Sequence, residues 1–141
     1  NAANIGSLFR IADAFGIEKL ILCGENISLG RKMSKTSRAT EKSVNFEIHS
    51  SAISIVKNYK KDGFTIVSLE ITENSIPIHL CNFSNQKLIV LLVGDENFGI
   101  SQDLLSISDK TIHINMFGQN SSMNVVQATN IALYEITKQF L

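Results

Sequence analysis

Two stretches of the sequence combine glycine and short polar side chains with no basic residue. One is Gly94-Asp95-Glu96-Asn97-Phe98-Gly99-Ile100-Ser101. The other is Asn115-Met116-Phe117-Gly118-Gln119-Asn120-Ser121-Ser122-Met123-Asn124. Glycine lets backbone amides and carbonyls approach a ligand closely. Both phosphate fingerprints, GxGxxG and GxxxxGK[ST], are absent, so the stretches suit a ligand without phosphates, held by backbone hydrogen bonds and apolar contact. Each taken alone is equally compatible with a plain turn after a strand. A third candidate is Arg10. On a helical wheel Gly6 and Arg10 lie four residues apart, and Asp13 is three further on. A helix-interior glycine costs about 1 kcal/mol relative to alanine, which makes sense if something must come close beside Arg10. The competing reading, favoured for any isolated arginine, is a solvated side chain pairing with Asp13. His49, His79, His113, Cys23 and Cys81 show no metal-ligand spacing, so no metal is expected.

The elements that must hold these residues alternate between helical and strand-like periodicity, which predicts a mostly parallel sheet flanked by helices. Residues 4–15 read as a helix, with Ile5, Leu8, Phe9 and Ala12 on one face, Asn4 as N-cap and Gly16 as terminator. Residues 19–23 form a short buried strand. Residues 29–43 are a polar, basic loop with one helical turn at most. Residues 51–62 are a helix closed by Gly63, and 64–69 are a strand. Residues 87–93 are the most apolar strand and hence expected at the sheet centre. Another strand spans 111–114. A long helix over 124–141 carries one apolar stripe of Val125, Ala128, Ala132, Ile136 and Phe140. A second stripe of Ile131, Tyr134 and Leu141 exceeds what one buried face needs and calls for a partner.

At 141 residues the chain is expected to form one domain, 1–141. It begins with Asn1 rather than Met, so part of the N-terminus is expected to be missing. No apolar run approaches the roughly 20 residues that span a bilayer, and the start shows no secretory pattern. Two unpaired cysteines predict reduced thiols and a cytoplasmic setting. A formal net charge of zero argues against a protein that holds nucleic acid by bulk charge alone, while leaving room for a local basic patch.

Three segments, in order and covering nearly the whole chain, resemble the three motifs of the SpoU (TrmH-like) branch of the SPOUT methyltransferases. Asn4-Ile5-Gly6-Ser7-Leu8-Phe9-Arg10 with Ala12-Asp13-Ala14-Phe15-Gly16 resembles the first. The stretch from Leu92 and Val93 through Gly94, Glu96 and Gly99 to Ser101 resembles the second. The stretch from Ile114 through Met116, Gly118, Ser122, Met123 and Asn124 to Ala128 resembles the third. A softer likeness, to members acting on tRNA or rRNA, covers residues 35–42.

The resemblance implies an α/β fold whose C-terminal part is threaded into a deep trefoil knot, an exception to the usual absence of knots. It implies a homodimer that transfers a methyl group from S-adenosyl-L-methionine to a ribose 2′-hydroxyl of tRNA or rRNA. Carried over position by position, it makes Asn4, Arg10, Glu96, Ser122 and Asn124 the catalytic polar set. It makes Leu92, Val93, Gly94, Glu96, Gly99, Ile114, Met116, Gly118, Ser122, Met123 and Asn124 the cofactor contacts. Three positions depart from the pattern: Asn115 stands where proline is usual, Met123 where leucine is usual, and Val126 where serine is usual. Asn115 and Val126 support the alternative, a noncatalytic knotted domain that binds RNA or the cofactor. The intact Arg10, Glu96 and Asn124 oppose it. Arginine stays protonated in proteins, so Arg10 is expected to act as a fixed cation at the acceptor rather than as a base. Arg31, Lys32, Lys35, Arg38 and Lys42, opposed only by Glu41, form a candidate RNA track, the alternative being a solvated loop.

Overall fold

The computed structural model describes residues 2–24, 27, 38, 40–119 and 122–141. It divides into two compact units, Asn1–Ala52 and Ile53–Leu141.

The first unit holds α1 (Ala2–Ala14), β1 (Leu20–Cys23), a 3₁₀ turn at Thr40–Lys42 and β2 (Phe46–His49). The apolar face of α1 buries Phe9 and Ala12 against Leu22 and Val44. Phe9 meets Phe46 edge-on, with ring centroids 5.1 Å apart. Gly16, at φ 61°, ends the helix as the sequence predicts. The Ile17 N–H donates to the Ala12 carbonyl and the Gly16 N–H to that of Asp13, a Schellman closure that seats Ile17 on the core. Asn4 is not the N-cap. The helix begins at Ala2, so Asn4 lies inside its first turn. The strands run parallel, Leu20 opposite Phe46 and Cys23 opposite His49. Glu47 bridges Lys19 (2.7 Å) and His49 (2.8 Å). The Lys19 hydrogen bond, then that of His49, holds its carboxyl below the usual range. Most of the predicted 29–43 loop lies outside the described residues, and β2 is an element that the sequence reading did not separate.

The second unit comprises α2 (Ile53–Lys61), β3 (Thr65–Leu69), β4 (Ile76–Pro77), β5 (Ile89–Val93), α3 (Gln102–Ile107), β6 (Lys110–His113) and α4 (Val125–Thr137). Its strands are all parallel, in the order β4-β6-β3-β5. The expectation that the 87–93 strand is central is corrected. Among the described strands β5 pairs only with β3 and forms an edge. All five of its residues are half-buried, whereas Ile66, Val67 and Ser68 of β3 are buried on consecutive positions, the pattern of a strand covered on both faces. An unbroken apolar run therefore reports covered faces, not position in the sheet. Ser68 is satisfied internally: the Ser108 hydroxyl donates to the Leu104 carbonyl (2.8 Å), leaving Ser68 to donate to Ser108 (2.5 Å).

Val67, Ile78, Phe83 and Ile112 pack with Ala132 and Ile136 of α4 in the core. Gln139 fastens the end of this layer, accepting from the Phe83 N–H (2.6 Å) and donating to the Cys81 carbonyl (3.1 Å). The helix ends at Thr137, short of the predicted 141, so of the second stripe Ile131 and Tyr134 lie exposed on α4, Tyr134 at 57%, and Leu141 lies beyond it. No helix among the described residues is long and apolar enough to cross a membrane.

Candidate active site

In a parallel sheet the strand carboxyl ends deliver their following loops to one edge, and ligands bind in the crevice there. In the second unit this edge carries a cleft of about 850 Å³. Its floor is the segment after β3, Glu70 to Thr72. The loops after β5 and β6, the two neighbours of β3, form its sides, and the start of α4 contributes Val125 and Ala128.

The loop after β5 is closed on itself. Asp95 accepts the Asn97 N–H at 2.6 Å through its side chain, and the Gly99 N–H at 2.9 Å through its carbonyl. A Cβ at Gly94 would fall on the Gly99 carbonyl carbon and 2.7 Å from the Ile100 nitrogen. Gly99 adopts φ 68°, and a Cβ there would sit 2.5 Å from the Glu70 carboxylate. That carboxylate accepts the Ile100 N–H (3.0 Å), tying the loop to the end of β3. Both glycines are thus demanded by the loop's own closure, beyond any approach to a ligand. Ser101 then caps α3.

On the other side, His113 closes β6. Its ring contacts Ser75 through Nδ1 (2.9 Å) and Asn115 through Nε2 (3.1 Å). Asn115, where a rigid proline is usual, is therefore held by a side-chain hydrogen bond instead. Asn124 is the N-cap of α4, its carboxamide oxygen accepting from Val126 (2.9 Å) and Gln127 (3.3 Å). Gly118 faces open space.

Of the residues expected to touch a ligand, Val93, Gly94, Glu96, Gly99, Ile114, Met116, Ser122, Met123 and Asn124 all line the cleft. Leu92 and Gly118 do not. Leu92 instead lies in the β-ladder opposite Ser68. Asn4 (half-buried) and Arg10 (exposed) lie on α1 in the first unit. Arg31, Lys32 and Lys35 fall outside the described residues. Arg38 and Lys42 are exposed. The sequence reading missed Glu70 and His113 as parts of the cleft, while Phe98 lay in a flagged loop without being singled out. Glu70 directly follows a predicted strand, and the rule that singled out the other two loops reaches it as well. Among the described residues, three carboxylates, Glu70, Asp95 and Glu96, line the cleft, and no Lys or Arg does. No cluster of potential metal ligands occurs among the described residues.

The sequence profile of the SpoU rRNA Methylase family matches residues 1–134. The chain is 30% identical over 139 residues to a tRNA (guanosine(18)-2′-O)-methyltransferase of Aquifex aeolicus, covering 99% of this chain and 65% of that protein. It is 30% identical over 140 residues to the 23S rRNA (guanosine-2′-O-)-methyltransferase RlmB of Acinetobacter baylyi, covering 98% of this chain and 56% of that one. The crystal structure of the SpoU methyltransferase AviRb from Streptomyces viridochromogenes in complex with AdoMet superposes with a TM-score of 0.84 at 27% identity, over 99% of this chain and 56% of that one. The chain spans less than two thirds of the length of each.

Proposed function

Because the chain belongs to the SpoU rRNA Methylase family, we propose that it is the catalytic domain, 1–141, of an enzyme that methylates a ribose 2′-hydroxyl of tRNA or rRNA with S-adenosyl-L-methionine. The observation that carries this reading is the cleft. Two of the three segments resembling family motifs meet there, at the sheet edge where an α/β fold binds ligands. Its lining also fits the cofactor. S-adenosylmethionine carries a sulfonium, an ammonium and one carboxylate, a net positive charge, but no phosphate. Among the described residues, three carboxylates, apolar Ile100, Ile114, Met116 and Met123, and no Lys or Arg suit a net cation. Val93, Gly94, Glu96, Gly99, Ile114, Met116, Ser122, Met123 and Asn124 would hold it.

When bound, the cofactor supplies an electrophilic methyl group. A ribose 2′-hydroxyl that took this methyl group would give up its proton to the neighbouring phosphate or to water. The chain's task is to orient and to stabilise charge. Arg10 serves as a fixed cation that grips phosphate and the developing alkoxide together. Asn4 orients Arg10 within the first unit, and Glu96, Ser122 and Asn124 orient the cleft loops of the second. Arg31, Lys32, Lys35, Arg38 and Lys42 hold the RNA backbone. The exposed second stripe of α4 supports a homodimer, the family resemblance a C-terminal trefoil knot, and the unpaired cysteines a cytoplasmic setting.

Calorimetry with S-adenosylmethionine, followed by transfer of labelled methyl to total tRNA and rRNA, tests the proposal. Binding plus transfer to a ribose is expected. Binding without transfer to either RNA would overturn the enzymatic reading in favour of the noncatalytic one.

A further inference from the structure

Phe98 and Phe117 are almost wholly solvated, at 87% and 96% exposure. They occupy the two loops that rise on either side of β3, after β5 and β6. Phe98 lines the cleft while remaining this exposed, so its ring stands at the rim. Its N–H is directed at the Asp95 carboxylate (3.3 Å) within a loop closed by the Gly99-to-Asp95 hydrogen bond. The closed loop thus fixes the backbone from which the exposed ring projects. Exposed phenylalanine is unfavourable unless something covers it, and at the mouth of a ligand cleft the cover is sought in what enters.

We infer that Phe98 and Phe117 form a stacking platform for unpaired bases of the RNA substrate, next to the ribose offered to the cleft. This rests on the methyltransferase reading above. Among the described residues the cleft lining has no Lys or Arg, so these residues offer a phosphate no cationic grip, and the carboxylates repel it. Apart from the phosphate assigned to Arg10, the acceptor nucleotide is therefore left to uncharged contacts at this point. A ribose carries its base with it, and every base has a π-face. Aromatic rings hold single-stranded nucleotides in this way, at roughly 5- to 150-fold in affinity per stacked base. Phenylalanine has no hydrogen-bonding group, so the platform adds affinity and placement but no choice of base. Base identity must be read elsewhere.

The sequence contains no tryptophan, so Phe98→Trp and Phe117→Trp each install a single reporter. Total tRNA and rRNA, titrated separately into each variant, are expected to quench and shift its emission, and S-adenosylhomocysteine alone to leave Phe117→Trp unaltered. Phe98→Leu, which keeps apolar area but removes the aromatic face, should raise KM for RNA about tenfold while S-adenosylhomocysteine still binds. Phe98→Trp should retain the wild-type KM. The proposal is overturned if neither RNA alters emission, if Phe98→Leu matches the wild type in KM, or if emission responds to protein dilution rather than to RNA, which would place the rings between protein copies. Failure of methyl transfer with quenching intact would instead strike the methyltransferase reading and leave the platform standing.

Discussion

Gly94 and Gly118 look interchangeable in the sequence, each a glycine in a loop after a strand, but the structure separates them. At Gly94 a side chain would collide with the returning backbone of Gly99 and Ile100, while at Gly118 it would meet nothing. Gly94→Val is expected to abolish S-adenosylhomocysteine binding by forcing the loop open, and Gly118→Val to leave it near the wild-type value. Calorimetry on both variants checks this, and equal losses would contradict it. Arg10 raises a different issue, because its role is chemical. Arg10→Ala should keep cofactor binding and lose about 10²–10³ in methyl transfer, the usual cost of removing a group that stabilises a developing oxyanion. Arg10→Lys should be nearly as impaired, since lysine lacks the planar fork. High activity of the lysine variant, with a new pH dependence near neutrality, would make proton abstraction the true role.

Helices and strands are where the sequence was most legible, and where its limits have physical causes. Periodicity located α1, α2 and α4, because each buries one face over several turns. It missed β4, which has two residues, one of them Pro77, and α3, which has six. Neither is long enough to show a period. The site was half legible. Glycine and polar residues flagged two loops, but Glu70 and His113 act through contacts with residues distant in sequence, which no local pattern displays. Asn124 illustrates an ambiguity the sequence could not resolve, since the same residue that resembles a catalytic position also caps α4. Asn124→Ala should cost about 1 kcal/mol in stability as the cap is lost. Asn124→Asp should keep the cap and the melting temperature, so any loss of activity in that variant isolates the chemical role. A second element-level dependence is on pH. Burial opposes ionisation of Asp109, but the Ile66 N–H (2.7 Å) and Lys60 (2.9 Å) overcome it and hold the carboxyl below its usual range. A depressed folded-state value contributes stability above the unfolded-state pKa that is lost as pH falls through the folded-state value. Urea unfolding of Asp109→Asn should therefore show a shallower loss of stability on acidification than the parent chain.

For the whole molecule, the proposed homodimer would cover the exposed Ile131, Tyr134 and Leu141 with a second copy. Sedimentation at micromolar concentration is expected to give about twice the 15.6 kDa chain mass. A double charge substitution, Ile131→Glu with Tyr134→Glu, should yield monomers. A monomeric parent chain would overturn the homodimer proposal. The sheet has one further consequence, which concerns synthesis. Ile66 of β3 must wait for Asp109, 43 residues later, before its amide finds its partner. The core over β3 and β6 stays open until Ala132 and Ile136 arrive, and Gln139 secures it last. On a ribosome, which adds about 5–20 residues per second, the nascent strands would spend several seconds with their apolar face uncovered. Closure then comes in one late step, so a stalled or prematurely ended chain would emerge as a target for chaperones and proteases rather than as a smaller folded protein.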